Sequence, residues 1–207
     1  MPKKQKLYYA QFREDRWVVK HLHLPARGVF VDVGASNGIK GNNTYYFENK
    51  GWHGLCIDAD PQHSMKLKKQ RKLVEVCAVS SQTGDRIFHQ HPDGSLSGFA
   101  QTVHTKDGKI VKLCSGKKWK PIVVPTYTLE ELLIKHNIST IDLLSIDVEG
   151  LELDVWSSFN VEKHRPKVVI VEFNKINRTE ILDTITSYGY KIVGQTRANM
   201  IFTRNRK

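Results

Sequence analysis

Five short apolar runs, at 29–33, 54–58, 74–80, 141–147 and 168–173, alternate along the chain with segments of helical spacing at 43–50, 61–72, 129–136 and 151–159. No other feature constrains the fold as much. Runs of this length rich in Val, Ile and Leu read as strands buried on both faces, and strands that take turns with helices form a parallel sheet covered on each side. After a further helix to Tyr188 come "YGYKIVGQ" and "NMIFTRN", separated by only a few polar residues. A helical crossover does not fit in that gap, so these two runs form an antiparallel hairpin at a sheet edge and bring the strands to seven. One segment breaks the alternation. Residues 86–125 are rich in His, Gly, Ser and Lys, carry short β-branched runs at Ile110-Val111 and 122–124, and show no helical period. An insertion of that kind in an open α/β sheet overhangs the strand ends and is read here as a substrate lid.

With 207 residues, 40% of them hydrophobic, the chain can bury one large core and is expected to be a single domain over 1–207. Its longest apolar stretches are strand-sized, so neither a signal peptide nor a membrane span is expected. Cys56, Cys77 and Cys114 are odd in number and lack close pairing, which argues against a disulfide framework and for a reducing, cytoplasmic compartment. The formal charge of +11 suggests an anionic partner. It is spread over "PKKQK", "KLKKQRK", "KKWK" and "RNRK", however, and the basic side of the 61–72 helix reads as a solvated face.

Chemistry enters at "VFVDVGASNG", where an apolar strand carries an acid, Asp32, at its tip and runs into a glycine turn. In a doubly wound sheet the first strand-to-helix turn cradles the ligand, with Gly34 for the sharp exit and Gly38 for close backbone approach, ahead of a helix whose N-terminal amides point inward. The spacing is Gly-x-x-x-Gly, not the dinucleotide fingerprint. The next strand ends on Asp58, where a carboxylate can accept both hydroxyls of a ribose. Acids on two adjacent strand tips suit a ligand with an ammonium group and a ribose, which describes S-adenosylmethionine. The competing reading makes Asp32 a loop-ordering group and Asp58 a helix cap. A third motif, "LLSIDVEGLELDVW", brings Asp147 and Glu149 to the same crevice from the other side. Glu152 and Asp154 read as surface charge on the helix that follows.

These stretches, together with "NTYYFENKGWHGLCIDADP", "VVIVEFN" and the N-terminal "YYAQFREDRWVV", resemble the FkbM family of class I, S-adenosylmethionine-dependent O-methyltransferases over about 8–174. The resemblance implies a Rossmann-like, seven-stranded sheet in the order 3-2-1-4-5-7-6, and methylation of a hydroxyl on a sugar or glycan. Carried over by position, Asp32, Gly34, Ala35, Ser36 and Gly38 would hold the methionine end and Asp58 the ribose. Ala59 and Asp60 would lie beside the adenine, with Ala78 and Val79 under its ring. Gln11, Asn43 and Thr44 would meet the cofactor carboxylate. The 86–125 insertion matches nothing in the resemblance.

Methyl transfer from a sulfonium is a direct displacement, so positioning the acceptor oxygen in line supplies most of the acceleration. A sugar hydroxyl must also lose its proton. Mg²⁺ or Mn²⁺ held by Asp147, Glu172 and Asn174 could acidify it, or Asp147 or a lid histidine, among them His104, could act as base. Trp119, set among lysines in the lid, could stack on a sugar ring. The charge suggests RNA ribose methylation as the alternative acceptor, but Glu172 stands where the usual Lys-Asp-Lys-Glu set wants a lysine, and no aromatic-rich basic surface appears. A non-catalytic binding module of the same fold is the third reading, against which the acids at Asp32, Asp58 and Asp147 speak.

Overall fold

A computed structural model describes residues 7–92, 94, 96–104 and 110–204. The strands are β1 (Val29–Val33), β2 (His53–Ile57), β3 (Val74–Glu75), β4 (Ala78–Val79), β5 (Gly84–Gln90), β6 (Gln101–His104), β7 (Ile110–Leu113), β8 (Lys120–Tyr127), β9 (Leu143–Ile146), β10 (Val168–Glu172), β11 (Tyr190–Gln195) and β12 (Asn199–Arg204). The helices are α1 (Glu14–His21), α2 (Tyr45–Asn49), α3 (Pro61–Gln70), α4 (Leu129–Lys135), α5 (Glu152–Ser157), α6 (Val161–His164) and α7 (Arg178–Ser187). The main sheet runs β11-β12-β10-β9-β1-β2-β3. Counting its seven strands along the chain, this is the expected order 3-2-1-4-5-7-6, with β12 antiparallel to both neighbours and every other pair parallel.

The period of two along each strand sorts the core into two layers. Val31, Val33, Leu55, Ile57, Leu144 and Ile146 face α4, α5 and α7. Phe30, Cys56, Leu143 and Ile170 face α1, α2 and α3, with Val18, Phe47 and Leu67 packed against them. Asp32 shares a face with Phe30, opposite Cys56 on one neighbour and Ser145 on the other. Its carboxyl therefore points to the side covered by α2 and α3. The strand order reverses between β1 and β9, and there the tips part to leave a crevice.

Two expectations shift. The third strand, read as one run over 74–80, is divided: Val74–Glu75 stay in the main sheet, whereas Ala78–Val79 leave it to pair with β8. The 86–125 insertion is more ordered than a loop. β5 and β8 pair antiparallel from Gly84 to Gln90, and β6 pairs with β7 beyond them. Phe88, Phe99, Ala78 and Val124 form a third small core that rests on Ala59 and Leu151, so the lid is a packed sheet seated on the strand tips.

The β1–β2 contact depends on an absent side chain. A Cβ at Gly54 would stand 2.0 Å from the carbonyl oxygen of Phe30 and 2.7 Å from its ring. Gly54→Ala is accordingly expected to destabilise by about 3 kcal/mol, the upper part of the overpacking range, read as a lowered midpoint in urea unfolding at unchanged slope.

Candidate functional site

The crevice encloses about 800 Å³ and runs from the β1–α2 turn, past the tip of β2, to the loop after β9. Its first wall is the glycine turn. Gly34 sits at φ 87°, and a Cβ there would lie 1.7 Å from the backbone oxygen of Asp147, so only glycine lets the β1 and β9 tips close together. The amides of Gly34 and Ala35 both donate to the carbonyl of Ile57, which ties the turn to β2.

Beneath the turn lies a buried polar network. Asp32 Oδ2 accepts from Asn42 Nδ2 and Thr44 Oγ1, each at 2.7 Å. Arg71, its side chain wholly buried, donates to Glu48 at 2.8 Å, to the Gly38 carbonyl and Asn42 Oδ1 at 3.0 Å, and to Thr44 Oγ1 at 2.8 Å. Its guanidinium passes 3.7 Å from Asp32. Burial pushes the Asp32 carboxyl above the usual carboxylate range, and Arg71 with the two hydroxyl and amide donors pulls it back.

Asp58 follows β2 and is held by three donors: Ser36 N–H at 2.7 Å, Asp60 N–H at 2.9 Å and His63 Nδ1 at 3.1 Å. Oδ2 meets only the Ser36 amide in this set, so acceptor capacity remains for a ligand hydroxyl. The bond to Asp58 raises the His63 pKa. Asp60 is differently employed: it caps α3 through Gln62 N–H and accepts from Gln90 and Ser97 of the lid at 2.6 and 2.7 Å.

At the far end Asp147, Glu149 and Glu172 bring carboxylate oxygens within 4.8 Å of one another. The Asp147 and Glu172 carboxyls thus lie close enough that ionising both sets two negative charges side by side. Burial, then the neighbouring acids, raise both pKa values. Glu149 occupies a left-handed conformation, φ 57°, in a turn that Glu152 secures. Glu152 Oε1 accepts from Gly150 N–H and Oε2 from Asn177 Nδ2, both at 2.8 Å.

Most of the expected cofactor positions line the crevice: Gln11, Asp32, Gly34, Ala35, Ser36, Asn43, Asp58, Ala59, Asp60, Ala78 and Val79, with Asp147, Glu149 and Glu172 at the acidic end. Others are placed differently. Gly38 lies behind the turn, where a Cβ would meet Leu67 and Arg71 at 2.8 Å, and Thr44 supports Asp32 from below with no face on the crevice. Asn174 is spent locally, its Oδ1 accepting from Ile176 and Asn177 amides, so Glu149 and not Asn174 completes the acidic cluster. The first amides of α2 are capped by Asn42 Oδ1 and do not aim inward. His104 ends β6, and its side chain lies outside the described residues. Trp119 packs on the His91 ring at 4.9 Å.

Two residues escaped the sequence reading. Arg71 looked like part of a solvated basic run and Glu152 like surface charge, while Asn42 was not singled out at all. Glu152 is 2% exposed. A helical wheel marks Leu67 as buried, and Arg71 four residues on lies on that same face, which is the one signal that could have found it.

The sheet order and a crevice at its switch point define the class I methyltransferase fold. The family described as the FkbM methyltransferase domain matches residues 32–192, and the chain belongs to it. A chain in the crystal structure of a fibrillarin–Nop5p complex superposes with a TM-score of 0.50 at 9% identity, covering 95% of this chain and 81% of that one. Over 93 residues the chain is 33% identical to the 1-deoxy-D-xylulose 5-phosphate reductoisomerase of Acinetobacter baumannii (strain SDF), which takes in 44% of this chain and 23% of that protein. The chain thus spans less than a quarter of that relative's length.

Burial pushes the Glu152 pKa up to about 7. A carboxyl whose pKa is higher folded than unfolded favours folding while protonated, so its contribution is complete below about pH 4.5 and is lost as pH rises through 7. Unfolding free energy should fall across that window, with ~3 kcal/mol of the fall due to Glu152. In Glu152→Gln the slope should be shallower by that amount; equal slopes in urea titrations from pH 4.5 to 8 would exclude the assignment.

Proposed function

We propose that the chain is an S-adenosylmethionine-dependent O-methyltransferase acting on a hydroxyl of a sugar or glycan. The observation that carries the cofactor is the pairing of the glycine turn with Asp58, whose carboxylate is aimed by three donors yet keeps acceptor capacity. The residues fit the group: a glycine turn whose Gly34, Ala35 and Ser36 line the crevice, a carboxylate for the ribose at Asp58, and small apolar Ala78 and Val79 for the base. When bound, the cofactor supplies an electrophilic methyl group. The chain's own part is to orient and to move a proton. Asp58 fixes the ribose, the Asp32 side of the crevice faces the methionine end, and the lid seated on Ala59 and Leu151 excludes water. Asp147, once ionised, accepts the proton of the acceptor hydroxyl. The acidic cluster also suits a hard cation: Asp147, Glu149 and Glu172 would hold Mg²⁺ or Mn²⁺, which would lower the hydroxyl pKa. The sugar acceptor is supported by the family resemblance, and RNA is the competing acceptor. The three cysteines, buried and unbridged, suit the reducing, cytoplasmic setting we infer.

Calorimetry should detect S-adenosylmethionine and its demethylated product, with Asp58→Ala weakening either by about 1.5–3 kcal/mol, the cost of a charge-assisted hydrogen bond. No heat at millimolar ligand would sink the reading. Labelled methyl transfer to an oligosaccharide panel and not to RNA is the expected acceptor result.

Chelation should stop turnover while cofactor affinity stays within a factor of about two, and Mn²⁺ should raise the melting temperature of the native chain but not of Glu172→Gln. Full activity in excess chelator, with no Mn²⁺ shift, would leave the proton to Asp147 or a lid histidine.

A further inference from the structure

Every acid on the cofactor side of the crevice already has internal donors, whereas two lysines there have none. Asp32 is served by Asn42, Thr44 and Arg71, Asp58 by Ser36, Asp60 and His63, and Asp60 by Gln62, Gln90 and Ser97. Lys40 and Lys66 both line the crevice, and neither forms an ion pair or side-chain hydrogen bond among the described residues.

They stand on segments that touch. α3 packs on the glycine turn where Leu67 and Arg71 fill the space left by Gly38, and Lys40 of the turn and Lys66 of the helix both line the crevice. Lys66 is close enough to His63 to oppose its protonation. Ser97 and Gly98 of the lid loop also line the crevice, and the exposed Lys117, Lys118 and Lys120 flank Trp119 along the chain. Trp119 is joined to that loop by its indole N–H, which donates to the Leu96 carbonyl at 3.0 Å.

The acids on this side are thus engaged internally, whereas the ammonium groups of Lys40 and Lys66 are left available to a ligand. S-adenosylmethionine does not explain these two lysines, since it carries a sulfonium, an ammonium and a single carboxylate. A neutral sugar explains them no better. Exposed lysines on the lining of a crevice raise the local concentration of anions there. We propose that the acceptor is an anionic sugar, bearing a phosphate, sulfate or carboxylate group that Lys40 and Lys66 hold while its hydroxyl reaches the acidic end. This rests on the methyltransferase reading above and narrows its substrate class. A small anion is favoured over a nucleic acid because the two lysines line a lidded crevice and not an open face.

The test is calorimetry with glucose 6-phosphate, glucose, inorganic phosphate and inorganic sulfate, each with and without saturating S-adenosylhomocysteine. Glucose 6-phosphate should bind at least tenfold tighter than glucose, the advantage should shrink as salt is raised, and Lys40→Ala/Lys66→Ala should remove it. Inorganic phosphate or sulfate competing with the sugar phosphate supports the same site. Equal binding of glucose and its phosphate, or a double variant that binds as the native chain does, overturns the proposal. So does a tenfold loss of S-adenosylhomocysteine affinity in Lys40→Ala, which would give that lysine to the cofactor carboxylate. An RNA oligonucleotide that outcompetes the sugar phosphate overturns it too. Because the anion arm is also run without cofactor, failure to bind S-adenosylhomocysteine would sink the methyltransferase reading alone.

Discussion

Arg71 is the point from which the cofactor side of this molecule is hung. A guanidinium removed from water is costly unless its donors are met, and here four hydrogen bonds reach a carboxylate on α2, a hydroxyl, an amide oxygen and the backbone of the glycine turn. Phe30 and Tyr45 supply ring faces at 5.1 and 5.6 Å. One side chain from the end of α3 thus fixes the turn after β1, the start of α2 and the charge of Asp32 together. Removing it would strand Glu48 and Asp32 as buried anions, a larger loss than the pair's own net contribution. The turn can be short of regular structure because the arginine replaces the hydrogen bonds a helix or strand would have supplied.

The same economy recurs at the other acids. Asp60 caps α3 with one oxygen and anchors Gln90 and Ser97 of the lid, so the lid's position over the crevice is set by the helix that also presents His63 to Asp58. Glu152 joins the turn after β9 to the loop after β10 through Gly150 and Asn177. Each of these carboxylates serves architecture, which leaves the ones with residual capacity, Asp58 and the Asp147–Glu172 pair, for ligands.

How much of this a reader of the sequence can see follows from the range of the forces involved. Strand identity, sheet order and the positions of Asp32, Asp58 and Asp147 are legible because period and strand-tip placement are local properties repeated five times. The division of 74–80 is not, since Cys77 and Ala78 are as apolar as a continuing strand would require, and only pairing with β8, some fifty residues away, draws them off. Arg71 and Glu152 were misread for one reason: a charged residue inside a charged run looks solvated unless its partners, 23 to 33 residues distant for Arg71, are known. His164, at the end of α6, is buried against Glu130 and Ser139 in the same way, by partners 34 and 25 residues away. Asn174 failed in the opposite sense, because its oxygen was consumed by amides two and three residues on.

For the hydroxyl methylation proposed above, the Asp147–Glu172 pair makes the two routes to acceptor deprotonation exclusive. Two carboxyls in contact within a partly dry crevice cannot both be ionised without a counter-charge, and that charge is either a proton shared between them or a cation. With the proton in place the pair has one basic site, and accepting the hydroxyl proton there makes it neutral twice over, which a buried pair tolerates. With a cation in place both carboxylates are spent on it, so the hydroxyl proton must leave to solvent or to another group. Glu149, in a left-handed turn that Glu152 secures, brings a third carboxyl within 4.8 Å of the pair and so offers a divalent ion a third oxygen. The same Asp147 and Glu172 carboxyls can therefore take up a shared proton or a cation, but not both at once.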